Sequence, residues 1–218
     1  MLSESFAYAQ EAVVGKWVQW LLLVVATLIL AIPLMGYLVR VLRGDRPAPE
    51  VTGWGSLFID GIKYLVIGVV YALPALIILF VTMGSVLVVL FAAIAMQDAA
   101  TLVSALEGFL FGFVIFLLVS VICALFGTIA LLRFARTGSM AEAFNFAEIR
   151  EIIGRIGWWS YIAALLIVMI VQIVIAIVLE FVAMVPFIGI VIELLLLAPV
   201  AIFEARYLAL IYENAGTA

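Results

Sequence analysis

Five apolar runs separated by short polar stretches set the plan of this chain. They cover residues 17–42, 64–96, 103–132, 158–185 and 187–212. Each exceeds the roughly 20 residues with which a helix crosses a hydrocarbon layer ~30 Å thick. In lipid the backbone must satisfy its own polar groups. Contiguous runs of this length therefore read as helices rather than as the alternating strands of a barrel. The expected fold is all-α: a polytopic transmembrane helix bundle of about five spans in one integral membrane domain.

The polar stretches predict shorter elements. In the loop 43–63, Trp54, Leu57, Phe58 and Ile62 recur at helical spacing, which predicts a short helix at the membrane surface over 53–63. In the loop 133–157, Asn145 and Glu148 have the spacing of a capping box. After them Phe146, Ile149, Ile152, Ile153 and Ile156 share one face, with Glu148, Arg150, Glu151 and Arg155 on the other. That is a second interfacial helix. Residues 1–16 are mildly amphipathic and predict a small interfacial helix with Phe6, Ala9 and Val13 toward lipid. The second run is longer than a crossing requires, so it tilts, kinks at Pro74 or breaks near Gly84-Ser85. Pro186 predicts a tight turn between the last two spans.

Charge adds an orientation. Arg40, Arg43, Arg46 and Lys63 bracket one loop, Arg133, Arg136, Arg150 and Arg155 occupy the other, and Arg206 lies near the end. Lys16 alone falls on the opposite side of a five-span arrangement. Basic residues gather on the cytosolic face. The expectation is therefore a multi-pass protein of the cell membrane with its amino terminus outside, its carboxyl terminus in the cytosol and both interfacial helices on the cytosolic side. Arg40, Arg43, Arg46, Trp54, Arg133, Arg136 and Arg206 are expected at that interface among headgroups, with Asp60 as a second possible partner for Arg206.

Composition narrows the chemistry. Hydrophobic residues make up 69% of the chain and charged residues 11%, far from the balance of a soluble domain, so the surplus is lipid-facing surface. A net charge of −4 spread over loops argues against nucleic acid as a partner. With no histidine, the commonest general base and metal ligand is missing. The one cysteine, Cys123, lies mid-span. No phosphate loop, nucleophile elbow or metal-ligand cluster is visible. The chain is expected to be no enzyme and to carry no metal or cofactor.

The candidate polar site is intramembrane. Glu180 and Glu193 flank Pro186 at similar distances, which puts both carboxylates ~9–10 Å in from the hairpin tip, with Gln172 about two turns deeper. Carboxylates inside spans are costly, and a pair can share a proton or hold a cation. The same residues at this shallow depth also fit simple contact with headgroups or water. A separate echo links residues 33–40 (PLMGYLVR) with 199–206 (PVAIFEAR): proline, an aromatic four on, arginine seven on.

Residues 36–64 carry a family resemblance through Gly36-Tyr37, Arg40, Arg43-Gly44, Trp54 and Asp60-Gly61, continued by Tyr71 and Pro74. Residues 133–146 (RFARTGSMAEAFNF) and the late ARYLALIY support it. The pattern resembles a family of uncharacterised polytopic membrane proteins, a domain of unknown function common in archaea, especially methanogens, and also found in bacteria. The resemblance implies fold and location but no reaction. The leading expectation is a non-enzymatic scaffold or accessory subunit, homo-oligomeric or joined to other membrane subunits, in contact with membrane lipids. The alternatives are a small transporter or ion pathway using intramembrane carboxylates, and a lipid-organising protein.

Overall fold

The computed structural model describes residues 1–185 and 187–214. Every regular element among them is helical: α1 (Leu2–Val13), α2 (Trp17–Leu28), α3 (Ile32–Arg43), α4 (Trp54–Met96), α5 (Ala99–Thr137), a 3-10 turn (Ala141–Phe144), α6 (Phe146–Ile156), α7 (Trp158–Ala183) and α8 (Ile188–Asn214). Four of them, α4, α5, α7 and α8, are each long and apolar enough to cross a membrane. A fifth crossing would require α1 and α2 together, and these are bent by 98° at their junction. The turn expected at Pro186 lies outside the described residues.

The expected first span, 17–42, is not one helix. It is two helices of 12 residues each, ~18 Å long, with a break between them. Leu30 and Ala31 take left-handed backbone angles, φ 54° and 57°. Pro33 in the first turn of α3 suits a break at this point. In a continuous helix its ring would meet the carbonyl four residues back, at Ile29, and it has no N–H to donate there. The expected surface helix over 53–63 is not separate either: it is the start of α4, which runs unbroken through Pro74 and Gly84-Ser85 to Met96.

The second surface helix forms as the pattern indicates. Asn145 Oδ1 accepts from the Glu148 amide at 3.4 Å, and Ile149, Ile152 and Ile153 are buried. The Glu148 carboxylate, however, pairs with Arg133 instead of closing the box.

Two compact units divide the chain. One comprises residues 1–67 and 128–218. Its core is built from α3, the start of α4, the end of α5, α6 and the second half of α8, with Tyr37, Leu57, Ile129, Phe134, Ile149 and Ile202 fully enclosed. The α3–α4 contact is so close that two glycines are obligatory. A Cβ on Gly36 would lie 1.9 Å from the Leu57 carbonyl oxygen, and one on Gly61 would lie 1.9 Å from that of Ile32. In this unit Ala9 and Val13 of α1 are buried, so they do not face lipid as expected; they turn toward α8, and Phe6 stays exposed.

The other unit, Gly68–Gly127, is the helical hairpin made by the rest of α4 and the first part of α5. Asp98 opens its second arm: Oδ1 accepts from the Ala100 amide at 3.0 Å and Oδ2 from the Thr101 hydroxyl at 2.6 Å. Those bonds hold the Asp98 carboxyl below its ordinary range, the Thr101 bond contributing most. Phe80, Phe91 and Phe111 are among many large apolar side chains that the hairpin exposes, as a surface bathed in hydrocarbon does.

Candidate functional site

Most of the basic residues expected at the cytosolic face are bonded to the protein's own loops and helix ends, and two of them, Arg133 and Arg206, are buried. Arg40, one turn before the end of α3, holds the loop that follows. Its guanidinium donates to the carbonyls of Glu50 (3.1 Å) and Thr52 (2.8 Å) and to the Ser56 hydroxyl (3.0 Å). Tyr37, one turn earlier, donates to the Pro49 carbonyl at 2.9 Å, which also accepts from Gln19 at the start of α2. Arg43 and Arg136 exchange roles across two helix ends. Arg43 Nε donates to the Ala135 carbonyl near the end of α5, and Arg136 Nε donates to the Leu42 carbonyl at the end of α3, both at 3.1 Å. Each cation thus satisfies a carbonyl that the other helix leaves open and sits at the negative end of its dipole.

From these helix ends the charges run into a cluster of three arginines and two carboxylates. Glu213 accepts from Arg136 at 2.8 Å and from Arg206 at 3.2 Å. Arg206 reaches on to Glu4 at 3.1 Å, and Glu4 also pairs with Arg46. Arg206 has no solvent exposure, and its guanidinium lies 5.3 Å from the centre of the Tyr8 ring. Arg136 sits in the same way 5.6 Å from the Tyr212 ring. The Tyr8 hydroxyl donates to the Asp45 carbonyl at 2.8 Å. Burial pushes that phenol up to about 12, against the opposing pull of Arg206. A buried guanidinium is tolerable only when its donors are occupied, and here all but Nε have partners or a ring face.

One expectation is corrected by this cluster. Arg206 meets neither headgroups nor Asp60. It follows Ile202 and Phe203 on a face of α8 turned inward, its partners are Glu4 and Glu213, and Asp60 pairs with Lys63. Glu4 of α1 and Glu213 of α8 thus converge on one guanidinium. Lys16, the odd basic residue of the five-span arrangement, borders the same surface groove as Glu50, Val51 and Thr52.

Arg133 forms a second junction. It is 9% exposed, donates to the Glu142 carbonyl at 3.2 Å, and pairs with the carboxylates of Glu142 and Glu148. It thereby ties the end of α5 to the 3-10 turn and to α6. Trp54, the first residue of α4, is half-exposed, while Arg43 and Arg46 remain exposed at this end.

The intramembrane carboxylates are arranged differently from the expected pair. Glu180 is exposed on α7 and Glu193 is half-buried on α8, and among the described residues no hydrogen bond joins them. Gln172 is instead bonded to Glu204: its side-chain amide donates to Oε2 at 2.9 Å. Among the described residues no group of three or more His, Cys, Asp or Glu is placed to hold a metal. The echo between residues 33–40 and 199–206 does not extend to structure: Pro33 opens α3 after a break, whereas Pro199 sits inside α8.

Sequence reasoning missed the roles of Glu4 and Glu213 and the pairing of Glu204 with Gln172. The signal for Glu213 was present, since it stands seven residues after Arg206 and so two turns along the same helix face. Glu4 carried none, because its partners lie 42 and 202 residues away.

No curated protein and no solved structure matches this chain. A family model described as a protein of unknown function, DUF4013, matches residues 20–184. That span holds Arg40, Arg43, Arg46, Arg133, Arg136 and Gln172 and leaves Glu4, Glu204, Arg206 and Glu213 outside it. The match covers well over half of the sequence, so this multi-helix membrane protein belongs to the DUF4013 family.

Proposed function

We propose that the protein is a non-enzymatic scaffold or accessory subunit of a membrane assembly. The observation that carries this reading is how its cations are spent. Arg40, Arg43, Arg133, Arg136 and Arg206 are each engaged with carbonyls or carboxylates of the chain's own loops and helix ends. Such bonds tie the loops and helix ends of one unit into a rigid platform. A platform of this kind suits holding other subunits, or further copies of the chain, in register within the bilayer.

The orientation that goes with this reading differs from the five-span one. All ten lysines and arginines belong to the unit that contains both chain ends. The stretches between Lys63 and Arg133 and between Arg155 and Arg206 carry no basic residue, and each is long enough for two crossings. Four crossings with both termini in the cytosol then satisfy the basic-residue rule with no exception.

Native mass spectrometry of the protein released from its membrane in mild detergent tests the scaffold reading. Defined complexes, with itself or with other membrane subunits, are expected. A lone monomer under every release condition overturns it. The lipid-organising alternative draws its support from Phe146, 58% exposed at the start of the amphipathic α6. Exchange of Phe146 for Ser with no change in co-purifying lipid counts against that alternative.

A further inference from the structure

We propose that Gln172 and Glu204 form a proton-binding site in the seam between α7 and α8, next to the charged cluster of Arg206. Both positions lie deep in their helices. Glu204 is ~15 Å from the end of α8 at Asn214 and ~24 Å from its start at Ile188. Gln172 is ~21 Å from the start of α7 and ~16 Å from its end. The two helices run antiparallel, as the contacts of Tyr207 with the Ala164 carbonyl and of Gly189 with Val182 require. The middle of one is therefore level with the middle of the other. Glu204 is also only ~3 Å along α8 from Arg206, so the carboxyl adjoins the charged cluster while its amide partner stands among the apolar residues of α7.

The surroundings of Glu204 select the proton over other ligands. Its hydrogen bond to Gln172 is a single neutral one. Tyr64 of α4 lies close enough to feel its charge, and the Tyr207 hydroxyl is directed to a backbone carbonyl. Arg206, two residues on, faces away around the helix and is committed to Glu4 and Glu213. Lys63 pairs with Asp60. With no set of three or more His, Cys, Asp or Glu assembled for a metal among the described residues, a proton is the ligand that one carboxyl and one amide can accommodate. Glu204 takes up one proton and returns it; the Gln172 amide donates to the carboxyl in both states and holds it between the helices.

This site is independent of the scaffold reading, and its test does not depend on any partner. The full chain in lipid nanodiscs is followed by infrared difference spectroscopy between mildly acid and mildly alkaline buffer. The expected result is a carbonyl band of a protonated carboxylic acid that disappears in Glu204→Gln and persists in Glu193→Gln. The midpoint of the band is expected to move in Gln172→Leu, which keeps the helix contact but removes the amide. That variant also serves if Glu204→Gln fails to fold. A spectrum with no such band, or a band unchanged in both Glu204→Gln and Gln172→Leu, overturns the proposal.

Discussion

Glu4 and Arg206 are joined by a hydrogen bond of 3.1 Å across 202 residues of sequence. The bond fastens an amphipathic helix that contains no span to the inner face of the last helix. Glu213 completes the arrangement by accepting from both Arg136 and Arg206.

The two carboxylates are not equivalent, and their removal is expected to show it. Glu213→Gln takes a partner from two arginines at once, one of them fully buried, and is expected to cost on the order of 3 kcal/mol. Glu4→Gln leaves Arg206 bonded to Glu213, and the Glu4 side chain is 43% exposed, so a loss of about 1 kcal/mol or less is expected. Thermal unfolding of the purified variants in one detergent checks the order; a larger loss for Glu4→Gln contradicts the account.

At Gly36 and Gly61 the limit is steric. Alanine at either position puts a methyl carbon within bonding range of a backbone oxygen, and α3 can accommodate it only by leaving α4. Each change is expected to destabilise by about 1–3 kcal/mol or more, as overpacking does. Gly68→Ala, with open space around it, is expected to be close to neutral. Comparable expression and melting of all three variants would show that the α3–α4 contact is looser than described.

Cysteine accessibility reads the orientation directly. In a Cys123→Ala background, Ser3→Cys and Ser139→Cys are expected to react with an impermeant maleimide from the same, cytosolic side, and Ala100→Cys from the opposite side. Labelling of Ser3→Cys and Ser139→Cys from different sides contradicts four crossings.

The Asp98 carboxyl gives a pH dependence with a definite sign. Its folded-state value lies below its ordinary one, so the cap it provides is fully present above about pH 4. The cap is lost as pH falls through the lowered value. Protection of the first amides of α5, taken as the ratio of intrinsic to observed exchange at each pH, is therefore expected to be flat near neutrality and to fall in acid; Asp98→Ala is expected to lower it near neutrality and to remove its fall in acid.

Much of this architecture was legible from local rules. The apolar runs after residue 64 become helices long enough to span, and Asn145 starts α6 because its side chain meets a free amide three residues on. Other features needed knowledge of the neighbours. Pro33 lies inside an apolar run that passes for a span, and a helix tolerates a proline within such a run, as α4 does Pro74. The difference is that α3 turns back to pack on α4 through Gly36 and Gly61, a contact invisible to periodicity. Gln172 stood out as a polar residue in a greasy helix, but its partner depended on the register of α7 against α8. The residues that carried the family resemblance prove largely structural: Gly36, Tyr37, Arg40, Arg43 and Gly61 build the α3–α4 junction and the loop beside it.

The bond between the two ends of the chain also has a meaning in time. A ribosome adds roughly 5–20 residues per second, so α1 is made on the order of ten seconds or more before the helix that carries Arg206. Until then Glu4 lacks the buried cation it pairs with, and Ala9 and Val13 lack the surface that covers them. The platform therefore closes only once Arg206 has been made, and a product cut short before it leaves the first helix undocked and open to surveillance by proteases and chaperones.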